Sequence, residues 1–141
     1  MVLTNLGGTL TGLGDRGCVL SNLEEAIKAY REALSEFTRA QTPLEWGMLK
    51  TNIGGPFLLL GERKGGIVES QEATQTFQQA LSVYTPSGSP TAWASTQRRK
   101  VGNALVTRRT ALVTRRTQER EFEPCRVHSR ISTNGLRRRW L

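Results

Sequence analysis

The sequence predicts an all-α protein, a partial alpha-solenoid of stacked antiparallel helix pairs followed by an irregular basic C-terminal tail. Three observations carry this. Residues 51–63, TNIGGPFLLLGER, repeat residues 4–16, TNLGGTLTGLGDR, at a constant offset of 47 residues. The offset persists from Ala26, Tyr30, Ala33 and Leu34 onto Ala73, Phe77, Ala80 and Leu81, and from Pro43 and Trp46 onto Pro90 and Trp93. Between these anchors apolar residues recur at intervals of three and four, which is one face of a helix. A period of this length implies stacked units, none of which buries its apolar face alone. The 141 residues hold about two and a half such units, so 1–105 is expected to be the repeat region and 106–141 the tail.

Taken in order, residues 4–13 read as a helix with no capping residue ahead of it, entered as though the chain began inside an element. Gly14-Asp15-Arg16-Gly17 should end it, because paired glycines around an aspartate favour leaving the helix. The second helix is expected from Ser21, which has capping-box spacing to Glu24, to about Ala40. Leu23, Ala26, Ile27, Tyr30, Ala33, Leu34 and Phe37 form its stripe, and the charged residues, Arg31 and Arg39 among them, form a solvated face. Thr42-Pro43-Leu44-Glu45 is the sharpest helix start: a cap, a proline that wastes no amide, and an acid near the positive end.

Trp46, Leu49, Ile53, Phe57 and Leu60 mark the next stripe, with Gly61 as its expected end. Gly54 inside it costs roughly 1 kcal/mol against alanine. Close approach of a neighbouring helix is the reading for Gly54, and equally for Gly7 and Gly102. Pro56, where Thr9 and Asn103 stand in the other copies, costs about 3 kcal/mol in a helix interior and predicts a kink. A loop over 63–68 leads to a helix over about 69–84, and a last helix starts at Pro90. The expected seam is Leu23, Ile27, Tyr30, Leu34, Phe37, Trp46, Ile53, Phe57, Phe77, Leu81, Tyr84 and Trp93. After that come two consecutive copies of ALVTRRT, too few for a supercoil, and then no period at all. With fewer than three intact units the ends are uncovered. Self-association through Leu6-Leu10 and Trp93-Leu105 is expected, unless a helix over 104–121 folds back and covers the end with Leu105, Leu112 and Val113.

The net charge of +8 is unevenly distributed. Residues 1–97 hold seven basic and nine acidic side chains, a net of 7 − 9 = −2, while 98–141 hold thirteen and three, a net of 13 − 3 = +10. A basic end attracts nucleic acid or other anionic surfaces. Arg108, Arg109, Arg115, Arg116, Arg137, Arg138 and Arg139 are its candidate contacts, although aromatics for base stacking are not interleaved with them. Catalysis is not expected: His128 is the single histidine, Asp15 the single aspartate, and no nucleophile has a partner in its neighbourhood. The glycine groups lack phosphate-loop spacing. Cys18 and Cys125 have no metal-ligand spacing and read as free thiols in a reducing compartment. No cofactor, metal or membrane partner is expected, and the cytoplasm is the default location.

Ile53-Gly54 with Phe57, then Ala73, Phe77 and Ala80, resembles the tetratricopeptide repeat. Leu6-Gly7, Leu10, Ala26, Tyr30 and Ala33 show the same features, and NLEEAIKAYREAL with TPLEW looks like the long-loop variants that occur in tandem arrays. The resemblance covers residues 4 to about 105 and departs from the pattern at Pro56, in the Gln-rich helix and in 106–141. It implies a non-catalytic scaffold whose first helices form an inner surface that holds peptides, proteins or further repeat units. By register, the implied inner-surface residues are Thr4, Gly8, Met48, Thr51, Gly55, Leu58, Leu59, Arg99 and Asn103.

Overall fold

Each apolar stripe of the sequence lies mostly on a helix in the structure, a computed structural model in which residues 1–116 are described, with Leu34, Phe37 and Tyr84 beyond the helix ends. Among them, α1 (Val2–Gly17), α2 (Leu20–Ala33), α3 (Pro43–Lys64), α4 (Ile67–Leu81) and α5 (Pro90–Arg116) follow one another with no strand. The all-α expectation is met by the described residues; the tail beyond 116, with Arg137, Arg138 and Arg139, lies outside them.

Helix ends differ from the expected punctuation, and the reasons are specific. α1 does not stop at Gly14-Asp15-Arg16-Gly17 but ends on Cys18, at a left-handed φ of 53°. That conformation costs an L-residue about 1–2 kcal/mol. The Ser21–Glu24 capping box does not form: α2 begins at Leu20 behind Val19, and the Glu24 carboxylate instead accepts from Lys64 of α3 at 2.8 Å. α2 ends at Ala33, well before Ala40, where the Ser35 hydroxyl and amide both donate to the Glu32 carbonyl and so compete with the helix. Thr42 donates its hydroxyl to the Thr38 carbonyl and caps no amide of α3.

α3 passes through Gly61 and ends at Lys64, with Gly65 at φ 63°, where glycine carries no Cβ penalty. It also passes through Pro56 without a break. The proline leaves the Asn52 carbonyl without its helical donor, and complete burial of the ring offsets that loss. α5 continues past Leu105 through the first ALVTRRT copy and into the second, as far as Arg116. Leu105 and Leu112 are exposed and do not cover an open end, while the Val113 side chain and residues 117–121 of that expected helix lie outside what is described.

Packing contacts recur at the sequence offset. A Cβ on Gly7 would stand 2.7 Å from the Tyr30 ring, and one on Gly14 2.6 Å from Leu23. Forty-seven residues on, a Cβ on Gly54 would overlap the Phe77 ring, and one on Gly61 would stand 2.5 Å from the Ser70 hydroxyl. In both pairs the first helix lies directly on the aromatic of the second. Gly102 departs from the expectation, since nothing lies within 4 Å of the corresponding position. Each helix packs on the next, α3 also touches α1 and α5, and α2 does not touch α4. The core consists of Leu23, Ile27, Tyr30, Ile53, Phe57 and Phe77 as expected, joined by Leu49 and Leu60. Leu34, Phe37, Trp46, Leu81 and Trp93 are only half-buried.

The contrast between two glycines of similar sequence context yields a paired test. Gly54→Ala forces a methyl into the Phe77 ring and should lower stability by about 1–3 kcal/mol, whereas Gly102→Ala meets open space and should raise it by up to about 1 kcal/mol. Urea midpoints at unchanged m-value measure both, and destabilisation by Gly102→Ala equal to that by Gly54→Ala would contradict the packing described.

Candidate functional site

The lateral seam of α1, α3 and α5 collects most of the residues that the repeat register assigns to an inner surface. A Cβ on Gly55 of α3 would stand 3.6 Å from the Arg99 guanidinium of α5, and one on Gly8 of α1 equally close, 3.6 Å, to the Tyr30 hydroxyl. The Arg99 charge acts on that same hydroxyl. Burial pushes the Tyr30 phenol above its ordinary range, and a hydrogen bond with Thr11, then Arg99, oppose the rise. Arg99 is exposed and has no carboxylate partner among the described residues. Gly55 beside Arg99 and Gly8 beside the Tyr30 hydroxyl leave a shallow floor next to a cation without a carboxylate. Thr4 is half-buried, Met48 is exposed, and Leu58 and Leu59 are half-buried against the core.

Two of the register-assigned residues are occupied within the chain. The Thr51 hydroxyl shares a 3.2 Å hydrogen bond with the wholly buried Thr96 and donates to the Gly47 carbonyl. Asn103 is wholly buried, not on a surface: its amide donates to the Ser70 carbonyl at 2.7 Å and the Thr74 hydroxyl at 2.8 Å, while its Oδ1 is buried without a partner. The offset explains the burial. Leu49 and Pro56, 47 residues before Thr96 and Asn103, are wholly buried as well. The same register is used twice, apolar in α3 and polar in α5.

On the other side of α3 stands an arrangement that sequence reasoning missed. Trp46, Lys50, Ile53 and Phe57 lie about half a turn away from Thr51 and Gly55 at 3.6 residues per turn. The Arg39 guanidinium and Lys50 ammonium sit 5.8 and 5.2 Å from the Trp46 ring centroid, and the Arg31 guanidinium 5.7 Å from that of Phe57. These are cation–π distances. A shallow cleft of about 420 Å³ lies between Arg39 of the segment that joins α2 to α3, Trp46 of α3 and the glutamines of α4. A second of about 180 Å³ adjoins it, running to Arg31, Phe57 and Glu72 and sharing Gln75 and Gln79 with the first. Burial and then the Arg31 charge hold Lys50 below the ordinary lysine range. Read singly, Arg31 and Arg39 were a solvated face and Trp46 a core contact; the signal is their convergence, which no local spacing carries.

Arg108 and Arg109 are exposed on α5, Arg115 and Arg116 belong to its last turn, and His128 lies outside the described residues. Among the described residues no group of three or more His, Cys, Asp or Glu is arranged to hold a metal, and no helix is long and apolar enough to cross a membrane. Cys18 is not a free thiol, which corrects the free-thiol expectation for it, and Cys125 lies outside the described residues.

Asn103 should behave as a structural residue. Asn103→Ala removes one bond to the Ser70 carbonyl, which keeps the Thr74 hydroxyl as a donor, and one to the Thr74 hydroxyl, and it should cost about 1–3 kcal/mol in urea unfolding; an unchanged midpoint would contradict the burial of this contact.

Comparison with protein-family models, with curated proteins and with solved structures found no match for this chain.

Proposed function

We propose that the protein is a non-catalytic scaffold, a short alpha-solenoid of the tetratricopeptide kind, that holds a peptide or protein segment along α1, α3 and α5. The observation that carries this is the cluster of Gly8, Tyr30, Gly55 and Arg99, contributed by four helices and centred on an exposed cation without a carboxylate. Small residues keep the floor low enough for a main chain, and Arg99 supplies a donor fork for a carboxylate or carbonyl. Thr4, Gly8, Met48, Gly55, Leu58, Leu59 and Arg99 are the contact residues of this reading. Thr51 and Asn103 act within it as helix–helix bonds. The cytoplasm is the setting that this reading takes over from the sequence.

The outer face of α5 extends the same reading to a second kind of partner. Val101, Leu105 and Leu112 are all exposed, at 58%, 62% and 64%. With Gly102 open, this is where a further repeat unit or a second copy would continue the stack.

A second reading has one observation in its favour. Arg98, Arg99, Arg108 and Arg109 are all exposed on the single uninterrupted helix α5, a basic surface that fits nucleic acid or another polyanion.

Panning of a displayed random-peptide library against the full chain should enrich peptides whose affinity falls at least tenfold with Arg99→Glu or Gly8→Gln, at unchanged helicity; enrichment of none, or of peptides indifferent to both changes, counts against the scaffold. Leu105→Glu should lower a concentration-dependent sedimentation coefficient to the monomer value, and a wild-type chain monomeric throughout would remove the stacking partner. For the second reading, affinity for a duplex oligonucleotide should fall steeply with salt, and Arg108→Gln with Arg109→Gln should flatten the log–log slope by about two. A flat wild-type salt dependence would end it.

A further inference from the structure

The groove between α2 and α4 lies on the opposite side of α3 from the proposed scaffold surface and is independent of it. Its walls carry Arg31, Arg39 and Lys50 against Glu72 alone, a balance of 3 − 1 = +2. None of the three cations has a carboxylate within ion-pairing distance among the described residues, so their charge is open to a ligand from outside the chain. Arg39 and Lys50 face the Trp46 ring and Arg31 faces that of Phe57, which gathers the three charges along one side of this cleft. Gln75, Gln78 and Gln79 stand three and four residues apart on α4, so their amides share the facing wall, and each both donates and accepts.

We infer that this groove binds an acidic peptide segment of about five residues in extended conformation. From Trp46 to Phe57 the helix advances about 16 Å at 1.5 Å per residue, which five residues span at about 3.3 Å each. Alternate side chains of an extended segment recur every 6–7 Å, close to the one-turn spacing between Trp46 and Lys50. Alternate carboxylates then meet Arg39, Lys50 and Arg31, and the glutamine amides meet the peptide main chain. A nucleic acid fits less well. The faces of Trp46 and Phe57 are already covered by cations, leaving no ring for a base, and Glu72 repels a backbone that carries a charge at every step, while a peptide can place a neutral residue there.

The test is fluorescence anisotropy of a labelled Glu-Ala-Glu-Ala-Glu peptide titrated with the full chain, with a Lys-Ala-Lys-Ala-Lys peptide and a decathymidylate strand as comparisons. The acidic peptide should bind, the basic one should not, and Arg31→Gln with Arg39→Gln and Lys50→Gln together should weaken binding at least tenfold. Gln75→Ala with Gln79→Ala, which leaves the charge unchanged, should weaken it severalfold. Arg99→Gln, and Arg108→Gln with Arg109→Gln, should change it less than twofold, separating this groove from the scaffold surface and from the basic end of α5. Circular dichroism checks each fold; if the triple variant loses helicity, Lys50→Gln and the glutamine pair decide. Unchanged affinity in the triple or the glutamine variant, or decathymidylate binding that is lost in the triple variant, would overturn the assignment.

Discussion

The contact between a helix backbone and an aromatic ring at Gly54 and Phe77, and again at Gly7 and Tyr30, sets the spacing of this protein. A glycine in a helix interior costs roughly 1 kcal/mol, and here the cost is met by allowing the ring to lie directly on the main chain. Because the first helix sits so close to its partner, the next contact along, Gly14 on Leu23 or Gly61 on Ser70, must also lack a side chain. The glycine pattern is thus a set of distances written into the sequence. It accounts for α1 and α3 running helically through residues that ordinarily end helices.

The third element shows what happens when the register is kept and the partner changes. α5 places Thr96 and Asn103 where α3 has Leu49 and Pro56, all of them wholly buried. The polar pair bonds to Thr51, Ser70 and Thr74, so the attachment of α5 rests on hydrogen bonds with one unpartnered oxygen. Such bonds are directional and contribute only about 1 kcal/mol each, so this junction depends on geometry more than the apolar one does. Electrostatic ties hold the other junction: Arg63 donates to the Gly14 and Asp15 carbonyls and pairs with the Asp15 carboxylate, beside the Lys64–Glu24 bridge.

α3 is therefore the element on which both proposed surfaces turn. One side of it offers glycines, and through them a low floor beside Arg99. The other offers rings, and over them three cations. The two are set about half a turn apart by the helix itself, which lets one element serve two faces without either crossing the core.

The sequence by itself determined the five helical stretches, the aromatic and alanine core of each pair and the close approach at Gly7 and Gly54, because these depend on spacings of three, four and 47 that can be counted along the chain. It mislaid the helix ends because cap residues found distant partners. Glu24 is drawn to Lys64, forty residues away, and leaves Ser21, while α5 runs on past Leu105. Only the tertiary structure decided that Asn103 is buried against Ser70, that Gly102 faces nothing and that Arg31, Arg39 and Lys50 converge on Trp46 and Phe57. Each of those outcomes depends on which helix lies opposite, and a position's neighbours across a helix interface are a property of the packed chain rather than of its local periodicity.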